Sequence, residues 1–251
     1  MRLTVVGCSG SYPGPDSAAS CYLLEAEHAG RRWRVLLDLG NGALGALHRY
    51  VDPLSVDAVV LSHLHADHCL DLCGYYVMRK YHPTGAQPRI PVWGPPETDQ
   101  RLARAYDLPP LPGMTGEFDF HVLGTPFTVG PFEIEPIPVS HPVDAFGIRV
   151  TADGRTLAYS GDTGVCDDLD RVAAGADLFL VEASFVDGVD NPPGVHLTGR
   201  EAGETATRAG ARRVVLTHVP PWHERARALA EASEVYAGPV ELAAPGATYD
   251  V

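Results

Sequence analysis

Residues 62–71 read "SHLHADHCLD", and this stretch decides how the rest of the sequence is interpreted. The stretch follows the apolar segment "VDAVVLS", so we expect a strand to end near Ser62 and a helix to begin near Asp67. Adjacent residues on a helix point about 100° apart, so ligands crowded into one tight turn divide into pairs that face two ions. The stretch contains five side chains that can bind a metal through nitrogen or carboxylate oxygen: His63, His65, Asp67, His68 and Asp71.

Three later apolar segments each end at another residue that can bind a metal. "EPIPVSH" ends at His141, "TLAYSGD" ends at Asp162 and "RRVVLTH" ends at His218. Strand ends of an open α/β fold share one edge of a sheet, where such folds place their sites. A single histidine is most often an ordinary polar residue, and Asp67 alone could cap a helix, but the combined spacing favours a metal centre. Four strand ends thus offer seven candidate ligands, enough for two ions that share a bridging carboxylate.

The composition is ordinary for a globular protein and argues against several classes of function. Hydrophobic residues make up 45% of the 251 residues, and the five cysteines, an odd number, indicate reduced thiols rather than a disulfide framework. No apolar run approaches membrane-spanning length and no signal peptide is apparent, so we expect a cytoplasmic protein that does not associate with membranes. The net charge of −13 disfavours a broad electrostatic grip on nucleic acid.

Short apolar strands and amphipathic helices alternate along the chain. Early strands come in antiparallel-looking runs and later strands alternate with helices, a pattern that two sheets covered by helices would satisfy. We predict one α/β domain over residues 1–251, with a break in its pseudo-symmetry near residues 115–130. The predicted helices span residues 67–81, 96–108 with Pro96 in the first turn, 199–210 and 223–235.

In these features the sequence resembles the metallo-β-lactamase-fold hydrolases. The resemblance covers essentially all 251 residues, through "HLHADH", His141, "SGDT" with Asp162, and "LTH" with His218. It implies an αββα sandwich, in which two mixed sheets are flanked by helices. Asp38, in "LLDLGNGAL", would support the site without binding a metal. The implied ligands are His63, His65 and His141 for one metal, Asp67, His68 and His218 for the other, and Asp162 as the bridge, with Asp67 also counted among the catalytic residues.

Two segments are more narrowly similar to the ribonuclease Z-like branch of that family. "LFLVEASF" resembles a strand that carries a glutamate, and "VHLTGREAGETATRAGARRVVLTH" resembles a His-Ser-Thr segment, the following helix and the last ligand strand. The similarity implies that His196 donates a proton to the leaving group and that Glu182 holds its ring. The sequence departs from that branch at Leu197, where a serine is usual.

Such a centre would bind two divalent ions, which can share a bridging hydroxide as the nucleophile when they lie about 3.5–4 Å apart. Histidine and aspartate ligands suit zinc, while manganese and iron remain alternatives because residue types do not fix the metal. The leading function is hydrolysis of a small phosphodiester, a 3′,5′-cyclic nucleotide by preference. The alternatives are a ribonuclease Z-type tRNA 3′-end endonuclease, a thioester or lactone hydrolase, and a non-catalytic binding member of the fold.

The segment between His141 and Asp162 favours the small substrate over tRNA. Its 20 residues, "PVDAFGIRVTADGRTLAYSG", read as two strands joined by the turn "ADGR". Typical bacterial ribonuclease Z proteins carry a long flexible arm here that grips the tRNA elbow. We therefore expect a small-molecule phosphodiester as the partner, tRNA as the less favoured one, and, from the resemblance, a homodimer.

Overall fold

Two β-sheets stack face to face in the structure, a computed structural model that describes residues 1–251. The first sheet contains eight strands: β1 (Arg2–Ser9), β2 (Ala18–Ala19), β3 (Cys21–His28), β4 (Arg31–Leu37), β5 (Ala58–Val60), β6 (Ile90–Gly94), β7 (Phe118–Val122) and β15 (Thr248–Asp250). Its spatial order is β15, β1, β3, β4, β5, β6, β7, with β2 paired to β1. Pairing is antiparallel from β15 to β4 and parallel from β4 to β7.

The second sheet repeats this arrangement with seven strands from the later part of the chain. They are β8 (Phe127–Val129), β9 (Phe132–Pro138), β10 (Phe146–Ala152), β11 (Arg155–Tyr159), β12 (Leu178–Glu182), β13 (Val214–Thr217) and β14 (Val240–Leu242). They lie in sequential order, antiparallel from β8 to β11 and parallel from β11 to β14. The chain passes between the sheets at residues 123–126, inside the region where the sequence predicts a break in pseudo-symmetry.

Helices cover the outer face of each sheet. Those of the first half are α1 (Ala43–Leu47), α2 (Ala66–Cys69), α3 (Leu72–Tyr81) and α4 (Thr98–Ala105), and those of the second half are α5 (Asp167–Ala173), α6 (Gly199–Ala209) and α7 (Arg225–Val235). A 3₁₀ turn spans Pro53–Ser55. None of the helices combines the length and the apolar character needed to cross a bilayer.

The strands place their apolar side chains alternately on two faces, which creates three separate cores. Tyr22 and Leu24 of β3 belong to a cluster of 25 buried residues between the two sheets. Their neighbours Cys21 and Leu23 belong to a cluster of 19 that packs under α1, α3 and α4. A third cluster of 19 lies between the second sheet and α5, α6 and α7. The predicted αββα architecture of two mixed sheets flanked by helices is confirmed, and the period-two alternation of the strands is its cause.

The single helix predicted over residues 67–81 is wrong, because the structure contains two helices there. The amide of Asp71 donates a hydrogen bond to the carbonyl of Leu39 at 3.1 Å rather than continuing the helical ladder. The Asp71 carboxylate in turn accepts a hydrogen bond from the amide of Leu44 at 2.8 Å. This interruption separates α2, which carries His68, from α3, which buries Tyr75 and Tyr76 in the second core.

Two other predicted helices begin later than expected. The helix predicted from Pro96 begins at Thr98, because Glu97 adopts a left-handed φ of 64° and the Thr98 hydroxyl donates to the carbonyl of Pro95. The helix predicted from His223 begins at Arg225, since the amide of His223 closes a turn onto the carbonyl of Pro220. In both places a local turn uses the backbone groups that the longer helix would need.

Candidate metal centre

The residues predicted to bind metal come from separate strand ends and meet at one place. His63 and His65 follow β5, and α2 carries Asp67 and His68 directly behind them. The other three predicted ligands, His141, Asp162 and His218, follow β9, β11 and β13. Their side-chain atoms form two groups, each compact enough to hold one ion, and Asp162 belongs to both. Asp71, the remaining metal-capable residue of the opening stretch, binds the backbone of α1 instead.

The first group consists of His63, His65, His141 and Asp162. Nδ1 of His65 lies 3.0 Å from Nε2 of His63 and 3.2 Å from Nε2 of His141. Nε2 of His63 lies 3.6 Å from Oδ2 of Asp162. Four ligands at about 2.1 Å around a tetrahedral ion would be separated by about 3.4 Å, so these distances fit a zinc-sized cation.

The second group consists of Asp67, His68, Asp162 and His218. Nε2 of His218 lies 3.0 Å from Oδ2 of Asp67 and 3.1 Å from Nε2 of His68. The two carboxylate oxygens of Asp162 complete the group, with Oδ1 at 3.3 Å from His68 Nε2 and Oδ2 at 3.5 Å from His218 Nε2. The donor spacing again matches the edges of a tetrahedron.

Hydrogen bonds on the far side of the imidazole rings turn their lone pairs toward the centre. Nδ1 of His141 donates to the carbonyl of Val195 at 2.8 Å, and Nδ1 of His218 donates to the Ser184 hydroxyl at 2.7 Å. Nδ1 of His68 donates to Oδ2 of Asp38 at 2.8 Å. With Nδ1 carrying the proton, each Nε2 presents a lone pair inward. Lone pairs about 3 Å apart repel each other, so a cation between them fits this donor set.

Asp162 gives an independent sign that cations belong here. Its side chain is buried, and Oδ1 accepts no hydrogen bond within the protein. A buried carboxylate oxygen without a partner carries a large desolvation cost. Because this oxygen faces the second group while Oδ2 reaches the first, coordination to a cation would satisfy it.

The protonation states also suit metal binding. Burial, the largest effect, lowers the pKa values of His63, His65 and His141, which keeps these imidazoles neutral. Burial opposes ionisation of Asp162, but positive charge at His218 and His68 outweighs it and holds the pKa of Asp162 well below the usual value. Burial likewise lowers the pKa of His68, but Asp162 and Asp38 outweigh it and raise that pKa well above the usual value. A cation at this place would supply the positive charge instead of imidazolium protons. Neutral imidazoles and ionised carboxylates are the forms that bind divalent ions.

Asp38 is the supporting residue that connects this centre to the sheets. It adopts a left-handed φ of 60° directly after β4 and is buried. Its Oδ2 accepts hydrogen bonds from the hydroxyls of Ser62 at 2.8 Å and Tyr159 at 2.6 Å, besides that from His68. Ser62 in turn contacts Nδ1 of His63 at 3.0 Å. The sequence analysis predicted Asp38 but missed Ser62, although Ser62 directly precedes His63. It also missed Tyr159 and Ser184, which only folding brings to the ligands.

The predicted Glu182–His196 pair lies beside the two metal-binding groups. Nδ1 of His196 is 3.0 Å from Oε1 and 3.1 Å from Oε2 of Glu182, the last residue of β12. Glu182 is buried, and Oε1 also accepts a hydrogen bond from the amide of Thr163 at 2.7 Å. The His196 ring is 5.5 Å from the His141 ring and 5.6 Å from the His218 ring, measured between centroids.

This environment makes His196 a strong base. Burial by itself lowers the pKa of His196, but the negative charge and hydrogen bond of Glu182 outweigh it and raise the pKa to about 9. A protonated imidazole at the rim of a metal centre is suited to giving a proton to a leaving group. Leu197, where the resemblance implies a serine, is fully buried in the third core, so packing occupies that position.

Comparison with known proteins links the whole chain to metal-dependent hydrolases. Residues 33–219 match the family described as "Beta-lactamase superfamily domain". An uncharacterized protein of Mycobacterium tuberculosis is 46% identical over 100% of this chain and 92% of that relative. The probable metallo-hydrolase YhfI of Bacillus subtilis is 29% identical over the full length of both chains. The crystal structure of YhfI, a metallo-β-lactamase fold protein, covers 99% of this chain and 98% of its own with a TM-score of 0.86 and 28% identity.

A ribonuclease Z is also among the relatives. That of Myxococcus xanthus is 29% identical over 100% of this chain and 98% of its own length. The alignment extends over 307 positions, whereas this chain has 251 residues, so the relative contains segments that have no counterpart here.

Proposed function

We propose that this chain, which belongs to the β-lactamase superfamily, is a dinuclear metal-dependent phosphodiesterase that hydrolyses small phosphodiesters, a 3′,5′-cyclic nucleotide by preference. The observation that carries this proposal is the pair of donor groups that share Asp162. A carboxylate shared by the two groups would allow two cations to lie within reach of one phosphoryl group. Zinc is the preferred metal because the donors are nitrogen and carboxylate oxygen, with manganese and iron as alternatives.

Two divalent ions, when bound, would polarise a phosphoryl oxygen and lower the pKa of water so that it can act as a nucleophile near neutral pH. His63, His65 and His141 would hold one of them, and Asp67, His68 and His218 the other, with Asp162 between them. Five of these seven side chains are buried and His65 and His141 are half-buried, and the low-polarity surroundings of the buried ligands strengthen electrostatic interactions with the reacting group.

The departing oxygen needs a proton, and His196 is the group we assign to supply it. Its Nδ1 is engaged with Glu182, which leaves Nε2 to donate. Glu182 favours the protonated ring and fixes its orientation, and it is itself anchored by the amide of Thr163. Proton donation by His196, with Glu182 orienting its ring, suits hydrolysis of a phosphodiester, because the leaving alkoxide has to be protonated.

The short segment between His141 and Asp162 supports a small substrate. Strands β10 and β11 pair directly, with Ala152 opposite Arg155. Asp153 and Gly154 form the connecting two-residue turn, both with positive φ, as a tight type I′ hairpin requires. Only four residues, 142–145, remain outside the strands before β10 begins. Nothing in this segment could extend along a tRNA, whereas a small phosphodiester needs no such extension.

An assay panel tests this proposal. Zinc and manganese forms of the protein would be incubated with 3′,5′-cyclic AMP, 2′,3′-cyclic AMP, a precursor tRNA, a thioester and a lactone. We expect metal-dependent hydrolysis of cyclic nucleotides, with the chelator-treated protein as the inactive control. Site-specific cleavage of the tRNA after its discriminator base, without cyclic-nucleotide turnover, would replace this proposal with the endonuclease. Turnover of the thioester or lactone alone would replace it with the other hydrolase alternative.

A further inference from the structure

Tyr12 and Trp222 form an exposed aromatic pair that the proposed chemistry does not use. Their ring centroids lie 5.3 Å apart with an angle of 36° between the planes. Tyr12 is 44% exposed and Trp222 is 59% exposed. The other two tryptophans, Trp33 and Trp93, pack against the core between the sheets. Large aromatic side chains left in solvent as a pair, rather than singly, indicate a surface that binds something.

Tyr12 follows the residue that contacts the predicted ligand His218, and Trp222 lies on the segment that contains His218. The amide of Ser11, the residue before Tyr12, points at Nε2 of His218 across 3.5 Å. The approach is close because Gly10 lacks a side chain: a Cβ there would lie 2.1 Å from the carbonyl oxygen of His218. Trp222 follows His218 by four positions on the other segment. The aromatic pair therefore lies on the two segments that meet at His218, a member of the second metal-binding group.

Both segments are held rigidly. The amide of Gly10 donates to the carbonyl of Val219 at 3.3 Å, which ties the two segments together. The Ser9 hydroxyl donates to the carbonyl of Tyr12 at 2.7 Å and closes the turn. Pro220 and Pro221 restrict the backbone that leads to Trp222. A preorganised surface loses little conformational entropy when it binds a flat ligand.

We propose that Tyr12 and Trp222 stack against the heterocyclic base of a nucleotide whose phosphate lies at the metal centre. This proposal rests on the proposed phosphodiesterase function and adds the residues that would bind the base of the substrate. Stacking uses the π-face that every base possesses, so the pair selects nucleotides over base-free phosphodiesters and favours the larger purines. The pair is assigned to substrate affinity, while the proton donor and the metal ligands are assigned to turnover.

Steady-state kinetics with a matched pair of substrates tests this assignment. The substrates are 3′,5′-cyclic AMP and ribose 3,5-cyclic phosphate, which lacks the base. Trp222→Ala and Tyr12→Ala are expected to raise KM for cyclic AMP by about tenfold, with little change in kcat. Constants for the base-free substrate should stay at their wild-type values, and Trp222→Phe should keep most of the affinity. Tyr81→Ala, which removes a tyrosine exposed at the end of α3, is the control and should leave KM and kcat unchanged for both substrates.

Failure of this inference is distinguishable from failure of the proposed function. The base-stacking assignment is wrong if cyclic AMP is hydrolysed and Trp222→Ala raises KM equally for both substrates, or leaves KM unchanged for both. A change from dimer to monomer without a change in the KM ratio would instead make the pair a subunit contact. If the wild-type protein hydrolyses neither substrate, binding is measured directly by tryptophan fluorescence. Quenching by 5′-AMP but not by ribose 5-phosphate, lost in Trp222→Phe, would still support stacking, and absence of quenching would overturn it.

Discussion

His196 lies beside the seven predicted ligands, but its ring hydrogen-bonds to Glu182, which is not one of them. We expect His196→Ala to retain the metal content of the wild-type protein and to lower turnover of a phosphodiester by about 10²–10⁴-fold. Metal analysis alongside kcat measures both parts. His121→Ala is the matched control, since His121 is exposed and bonds only to Asp119. Wild-type turnover in His196→Ala would remove this residue from the mechanism.

Asp38 binds no metal in our assignment, yet it orients His68 and positions Ser62. We expect Asp38→Asn to lower metal affinity by about 10–100-fold, because the carboxylate that orients the ligand and raises its basicity is lost. Titration against a competing chelator measures this affinity. Asp177→Asn is the control: Asp177 accepts a hydrogen bond from the amide of Thr156, at the start of β11, and is not part of either metal-binding group. Equal affinities in the two variants would contradict the supporting role of Asp38.

At this scale the ligands could be predicted and most of their supporting partners could not. Each predicted ligand follows or ends an apolar segment, and this local pattern is visible in the sequence. Tyr159 contacts Asp38 across 121 positions, and Ser184 contacts His218 across 34. No local pattern connects such pairs, because Asp38 and Tyr159 meet only when the two sheets stack, and Ser184 and His218 meet only when β12 and β13 pair.

At the scale of single elements, α6 fixes the loop that carries His196. Thr198 and Glu201 form a capping box: the Thr198 hydroxyl accepts from the Glu201 amide at 3.1 Å, and the Glu201 carboxylate accepts from the Thr198 amide at 2.8 Å. We expect Thr198→Ala to lower the free energy of unfolding by about 1 kcal/mol. Denaturant unfolding measures the loss, and Thr125→Ala, in an exposed turn, is expected to be neutral. An unchanged unfolding free energy for Thr198→Ala would show that the cap contributes nothing.

The elements also show where sequence periodicity misleads. Leu70, Cys73 and Val77 follow the spacing of one continuous helix. The helix is nevertheless interrupted at Asp71, because the Asp71 amide donates a hydrogen bond to the carbonyl of Leu39. Leu39 lies in the loop after β4, which is distant in sequence from Asp71. The β10–β11 hairpin was predictable for the opposite reason. Its turn residues, Asp153 and Gly154, encode a local conformation that needs no distant partner.

At the scale of the whole molecule, the core between the sheets draws residues from both halves of the chain. A single domain over residues 1–251 therefore predicts one cooperative thermal transition. Because metal would bind the folded state alone, chelation should lower the melting temperature. A metal present at about a thousand times its Kd contributes about 4 kcal/mol, which corresponds to roughly 10 °C for a chain of this size. Calorimetry with and without chelator measures this shift. Two transitions, only one of which moves, would contradict a single domain.

The whole molecule has a net charge of −13, and two bound divalent ions would offset part of this charge at the metal-binding groups. We expect the seven predicted ligands to form two metal sites joined by Asp162. Anomalous diffraction from crystals of protein purified without chelator tests this expectation most directly. We predict two anomalous peaks per chain, one within each donor group, with Asp162 between them. A single peak at full occupancy, with His68 or His218 unliganded, would contradict the account.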